Sequence, residues 1–264
     1  MSTFQANPGR CATAVAPHAG GLDLAVSAVG RNRLLTSLPQ ADFDTLAQYL
    51  TEVTLDKGTV LQEPGQPISR VTFPHGGLIS MLGLLPEGHA VDTASIGREG
   101  AVGLSAGLGA QIAHCTAVVQ LPVQAAQISA ARFADAAARS RAVRDMIVRY
   151  NDLLLAQVQQ LVACNTVHHV QERLCRWLLQ ARDRVGGDTL PLTQEFLADV
   201  LGVQRTTVTM IGRMLQAQGI INVRRGRIQI RDILALERKA CACYRMGRNL
   251  TEEMRAPLPA KEAR

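Results

Sequence analysis

The chain has 264 residues with 47% apolar residues, enough to bury one or two real cores, and two domains are expected. No apolar run is long enough to span a membrane, and the first thirty residues lack the basic start, apolar core and cleavage site of a secretory signal, so a cytoplasmic protein is expected. The net charge of +6 is unevenly spread: residues 1–140 hold 8 Lys/Arg against 10 Asp/Glu, whereas residues 141–264 hold 20 against 12, which suits a polyanion-binding module joined to something else.

Residues 1–30 are rich in Ala, Gly, Ser and Pro without a sustained period and read as a flexible extension carrying Cys11 and His18. Structure is expected from about Asn32, with a helix over 40–50 that places Phe43, Leu46, Ala47 and Leu50 on one face. Short β-prone runs follow at 53–55, 59–61, 71–73, 78–84, 91–96 and 117–121, separated by Gly, Pro and charged turns. That spacing predicts a small β-roll over 31–139, with either a ligand pocket or a solid core inside.

After an Ala-rich helical stretch at 130–139, a long helix begins near Ser140 or Arg141. Val143, Ile147, Tyr150, Leu154 and Leu161 keep near-heptad spacing and predict a dimer seam. The alternative is a helix lying on the roll of its own chain. Residues 140–167 are expected as dimerisation helix and hinge, with the hinge at Asn165–His169. The next helix, about 170–184, buries Val170, Leu174, Trp177 and Leu178.

The most informative stretch runs from Leu190 to Asp232. Thr193 can cap a short helix, Gly202 supplies a tight turn, and a second helix from about Arg205 to Gln218 stops at Gly219. At 100° per residue, Thr207, Val208, Ile211 and Leu215 share one side, and Arg205, Thr206, Thr209, Met210 and Arg213 share the other. Two β-prone runs, 220–223 and 228–230, flank Arg224-Arg225-Gly226-Arg227 and predict a hairpin with a basic tip. Helix, Gly turn, two-faced helix and basic hairpin together read as a winged helix-turn-helix over 168–245, in which Arg224, Arg225 and Arg227 suit phosphate oxygens. A last helix, 234–245, would carry Cys241 and Cys243, and 246–264 reads as a polar tail.

The order of roll, long helix, hinge and winged helix resembles the bacterial Crp/Fnr regulator family over about Asn32 to Tyr244. The likeness is strongest in LTQEFLADVLGVQRTTVTMIGRMLQAQGIINVRRGRIQI and next in IGREGAVGL (96–104). The resemblance implies an α+β fold with a cyclic-nucleotide-binding-like β-roll, a long dimerisation helix and a C-terminal winged helix. It further implies a homodimeric transcription regulator whose partners are double-stranded DNA, a second copy and RNA polymerase, with no membrane and no enzyme activity. The family's recognition pattern Ser-Arg-Glu-Thr-Val-x-Arg meets Gln204-Arg205-Thr206-Thr207-Val208-Thr209-Met210 here. Arg205 keeps a guanine-reading cation, while Thr206 and Met210 replace an acid and a second Arg, so the family's usual operator is not implied.

On the sensor side the family's Gly-Glu falls on Gly100-Ala101 and its Arg-Ser on Ala113-His114, which argues against cyclic AMP. Cys11 alone at the N-terminus argues against an iron–sulfur cluster. No cofactor is expected. Cys164, His168 and Glu172 share a helical spacing, and Cys241 and Cys243 form a close pair, but no metal site is expected from either. No nucleophile–base–acid set is legible. The alternative to a DNA-binding regulator is a ligand-binding or scaffold protein whose winged helix contacts protein.

Overall fold

Asn32 serves four partners at once. Its carboxamide oxygen accepts from the N–H groups of Leu34 and Leu35, capping the short helix α1 (Arg33–Thr36). Its amide donates to Pro74 O at 2.8 Å and Gly100 O at 2.9 Å, pinning that cap to the barrel. The computed structural model of the chain describes residues 32–84 and 90–253. The expected extension over 1–30, with Cys11 and His18, lies outside the described residues, as does 254–264.

Helix α2 (Gln40–Ala47) precedes the strands β1 (Thr51–Leu55), β2 (Val60–Gln62), β3 (Arg70–Pro74), β4 (Leu78–Leu84), β5 (Ala90–Ile96), β6 (Thr116–Leu121) and β7 (Val123–Ser129). They form two antiparallel sheets, ordered β1-β7-β3 and β2-β6-β4-β5. Between them Leu55, Ile79, Ile96, Val102, Val119 and Val123 pack as a continuous apolar core, so the roll is largely solid. A 3-10 turn (Leu104–Leu108) and strand β7 are additions to the predicted elements.

Helix α3 (Ala130–Arg139) leads through Ser140, whose hydroxyl accepts from Val143 N, into the long helix α4 (Arg141–Val167). With no Gly or Pro in 27 residues, α4 runs unbroken for about 40 Å. The break between α4 and α5 falls at His168 and His169, inside the expected hinge, while Asn165 and Thr166 stay helical, the Thr166 hydroxyl donating back to Val162 O at 2.9 Å.

Part of the expected seam is buried within the chain itself. Val143, Ile147 and Tyr150 are buried with Phe73, Phe133 and Leu34 against the roll of their own chain, Leu154 is packed at the edge of that cluster, and Leu161 is half-buried. Among the apolar side chains that α4 leaves in solvent, Val148, Leu155 and Val162 stand seven residues apart at 55%, 55% and 62% exposure, with Val167 also exposed at the helix end.

Helix α5 (Val170–Val185) carries Leu174, Trp177 and Leu178 into the core of the C-terminal unit. That unit continues through β8 (Thr189–Leu190), α6 (Gln194–Leu201), α7 (Arg205–Ala217), β9 (Ile221–Arg224), β10 (Arg227–Ile230) and α8 (Ile233–Lys239). The three strands form an antiparallel sheet ordered β8-β10-β9. The predicted last helix is split: α8 stops before Ala240, and a separate helix α9 (Cys243–Glu253) takes in residues expected as tail and packs along α4 and α5. Leu78 and Leu121 of the barrel belong to the same apolar cluster as α5, α6 and α7, which joins the two units through a shared core.

Candidate functional site

The helix-turn-helix is built as its residues require. The Thr193 hydroxyl accepts from Phe196 N at 3.1 Å, and Gly202 and Gly219 adopt left-handed φ values of 63° and 72° at the ends of α6 and α7. Val208, Ile211 and Leu215 are buried, while Arg205, Thr206, Met210 and Arg213 are exposed. Thr209 is only half-exposed. Its hydroxyl donates to Gln194 Oε1 at 2.7 Å and lies 3.0 Å from Arg205 O, so it locks α7 onto α6.

At the wing, Arg224 pairs with Arg227 across a two-residue turn of Arg225 and Gly226, and all three arginines are exposed. Gln216 is a contributor that sequence reasoning missed. Its carboxamide oxygen accepts from Val223 N at 2.8 Å, tying the wing to α7. A polar residue on an exposed helix face carries no sequence signal for such a contact.

On the barrel, Ala101, Ala113 and His114 line one cavity of about 150 Å³. Gly100 stands beside it under Tyr150 of α4, leaving no room for a Cβ. Burial pushes the Tyr150 phenol above its ordinary range, with the Glu99 charge adding to the effect, so it stays neutral. Among the described residues, no Lys or Arg lines this cavity.

Glu99, from the same turn, is buried. Its carboxylate accepts from Arg184 Nε of α5 at 2.7 Å and from Gly97 N at 3.2 Å. Beside it lies a second cavity of about 500 Å³, enclosed by β5, α4, α5 and α9 and lined by Arg98, Arg176, Arg184, Arg248, Asp92 and Asp183 among others. Asp92 accepts from Ser95 Oγ at 3.0 Å and from Trp177 Nε1 at 3.5 Å, and desolvation raises its pKa to about 6.

A third grouping was not assembled by the sequence reading. Cys164 and His168 of α4 meet Cys241 and Cys243, with the four ligand atoms within 4.8 Å of one another. Glu172, grouped with the first two by spacing, instead accepts from His169 N and closes the start of α5. Burial raises the Cys164 thiol pKa and pushes that of Cys241 up to about 12.

Residues 172–239 match the Crp-like helix-turn-helix domain. The whole fold matches that of solved regulators. The likeness to FixK2 from Bradyrhizobium japonicum has a TM-score of 0.63 at 19% identity, covering 73% of this chain and 98% of that one. A CRP-family transcriptional regulator from Thermus thermophilus gives 0.61 at 19%, covering 71% and 95%. A second regulator from that organism, of the CRP/FNR family, gives 0.59 at 21%, covering 72% and 97%.

The chain has the fold of a Crp/Fnr regulator, with a Crp-like helix-turn-helix domain.

Comparison with curated proteins finds no sequence match. The matched domain spans α5 to α8, including both helices of the helix-turn-helix and the basic wing. No helix among the described residues is long and apolar enough to cross a membrane.

Proposed function

We propose that this chain is a Crp/Fnr-type transcription regulator, a homodimer that binds a specific double-stranded DNA site through α7 and the wing, and that its barrel does not take cyclic nucleotides. The observation that carries the reading is the exposure of Arg205, Thr206, Met210 and Arg213 on α7 together with Arg224, Arg225 and Arg227 on a wing hydrogen-bonded to that helix. Base-edge contacts from α7 would specify sequence, and the wing arginines would hold phosphates. Thr209 acts within the protein, bracing α7 for that contact.

A second copy fits the stripe Val148, Leu155 and Val162, whose heptad spacing is that of a two-helix seam. Two-fold pairing there would present two recognition helices to a two-part operator. Gly100, Ala101, Ala113 and His114 describe a degenerate sensor site. It offers no cation to a buried phosphate, and its volume is half the lower end of ordinary ligand pockets, about 300 Å³. RNA polymerase is the expected partner on DNA.

The test is a salt-dependent mobility shift with fragments from the source genome. Arg205→Ala costs about 1–3 kcal/mol on the specific site and relaxes base preference. Arg224→Ala or Arg225→Ala weakens all sequences alike and flattens the salt slope by about one unit. Identical behaviour of the two kinds of variant on every sequence would refute this division. Full-length protein that shifts no DNA at low salt would favour a protein-contacting winged helix.

A further inference from the structure

Cys164, His168, Cys241 and Cys243 converge from two parts of the chain that lie about 75 residues apart. Cys164 Sγ lies 3.6 Å from Cys241 Sγ, Cys243 Sγ lies 3.6 Å from His168 Nδ1, and no pair among the four ligand atoms exceeds 4.8 Å. A tetrahedral zinc ion with Zn–S of about 2.3 Å and Zn–N of about 2.05 Å has S···S edges of about 3.8 Å and S···N edges of about 3.6 Å. The two 3.6 Å contacts match those edges, and the remaining separations, up to 4.8 Å, close onto one ion with side-chain shifts of about 1 Å. An iron–sulfur cluster spreads its cysteines over more than one iron, which this group is too tight to allow. None of the four side chains is taken by a disulfide, and the three cysteines are buried.

The surroundings suit a thiolate-rich centre. Gln160 Nε2 donates to Cys243 Sγ at 3.1 Å, an outer contact of the kind that orients a metal ligand. Three thiolates and Zn²⁺ carry a net charge of −1. The guanidinium of Arg176 acts electrostatically on Cys164, and that of Arg173 on Cys164 and Cys241. Both arginines keep a buried Nε without a hydrogen-bond partner among the described residues.

We propose that Cys164, His168, Cys241 and Cys243 form a Cys3His site for Zn²⁺. Two ligands come from the end of α4, before the winged helix, and two follow α8, after it, so the ion closes a loop that contains the whole DNA-binding unit. Closing so long a loop restricts the unfolded chain and fixes the base of the unit to the long helix. The site is structural in type, with all four positions filled by protein.

The test uses the full chain purified under reducing conditions, without DNA, so that its failure leaves the DNA-binding reading untouched. Elemental analysis should find one zinc per chain. Replacement by Co²⁺ should give the intense visible bands of tetrahedral cobalt with thiolate-to-metal charge transfer. Cys243→Ser and Cys241→Ser should each weaken zinc binding by more than about 100-fold, beyond the 10–100-fold expected of the outer contact in Gln160→Ala. His168→Cys should keep one equivalent with stronger charge transfer, which separates ligand chemistry from misfolding, and Cys115→Ser should change nothing. Reduced protein that binds no metal, equal binding by Cys243→Ser and the parent, or the weak spectrum of octahedral cobalt would each overturn the proposal. So would a Cys164–Cys241 disulfide that persists in reductant.

Discussion

Replacing Glu99 by Gln removes a charge from the contact that joins the barrel turn to α5. The Glu99 and Arg184 side chains are only 10% and 12% exposed and meet at 2.7 Å. Removing one partner of a buried pair costs about 3–5 kcal/mol, because the other charge stays desolvated. Two features reduce that figure here. Arg184 Nη1 also donates to Gln180 O at 3.2 Å, and the amide oxygen introduced by the substitution can still accept. A loss of about 2–3 kcal/mol is therefore expected, which for a chain of this size lowers Tm by about 5–10 °C. Urea unfolding of Glu99→Gln, Arg184→Met and the double variant measures the coupling directly. A coupling of at least about 1 kcal/mol is expected, and additivity within about 0.5 kcal/mol would show that the pair is not an energetic link between the units.

Leu155→Asp places like charges in the proposed seam and should weaken dimerisation by at least about a hundredfold, giving monomers in sedimentation; a dimer that survives would move the interface elsewhere. Ile147→Asp, by contrast, should unfold the barrel, since Ile147 is buried within its own chain. The Asp92 pKa, raised from 3.8 to about 6 by burial, means that its protonated form stabilises the fold fully below about pH 4 and that this contribution is lost as pH rises through 6. Asp92→Asn should thus gain up to about 3 kcal/mol over the parent at pH 8 and little at pH 4, and parallel urea midpoints across that range would refute the assignment. Calorimetry with cyclic AMP and cyclic GMP should show no binding, because Ala113 and Ala101 leave the phosphate and ribose without partners at a cost of about 3–5 kcal/mol; micromolar binding of either would place the nucleotide site elsewhere.

The winged helix was legible because its signals are local: a capping Thr193, glycines at 202 and 219, and arginines crowded about Gly226 each act within a few residues. The register of α4 was not. Its apolar residues form two stripes, one through Val143, Ile147 and Tyr150 and one through Val148, Leu155 and Val162, and periodicity cannot tell burial in the same chain from burial in a partner. Strand β7 was hidden by its small residues Ala125 and Ala126, only one residue, Pro122, after β6. The burial of Glu99 carried no sequence signal because the arginine that pairs with it lies 85 positions away. The Cys–His cluster was invisible for the same reason, its two halves being brought together only when α9 folds back on α4.

Trp177 is the sole tryptophan in the chain, and it sits at the joint between barrel and DNA-binding unit. Its indole N–H points to Asp92 of the barrel at 3.5 Å, and its ring meets the Phe196 ring of α6 edge-on at 5.5 Å between centroids. Buried indole emission responds to the polarity and charge around it, so the native fluorescence of this protein reports from one known place. A shift in emission maximum on adding an effector, a metal ion or operator DNA would register a change at that joint without any attached dye. The rate of the shift in a stopped-flow mixer would time the movement of one unit against the other.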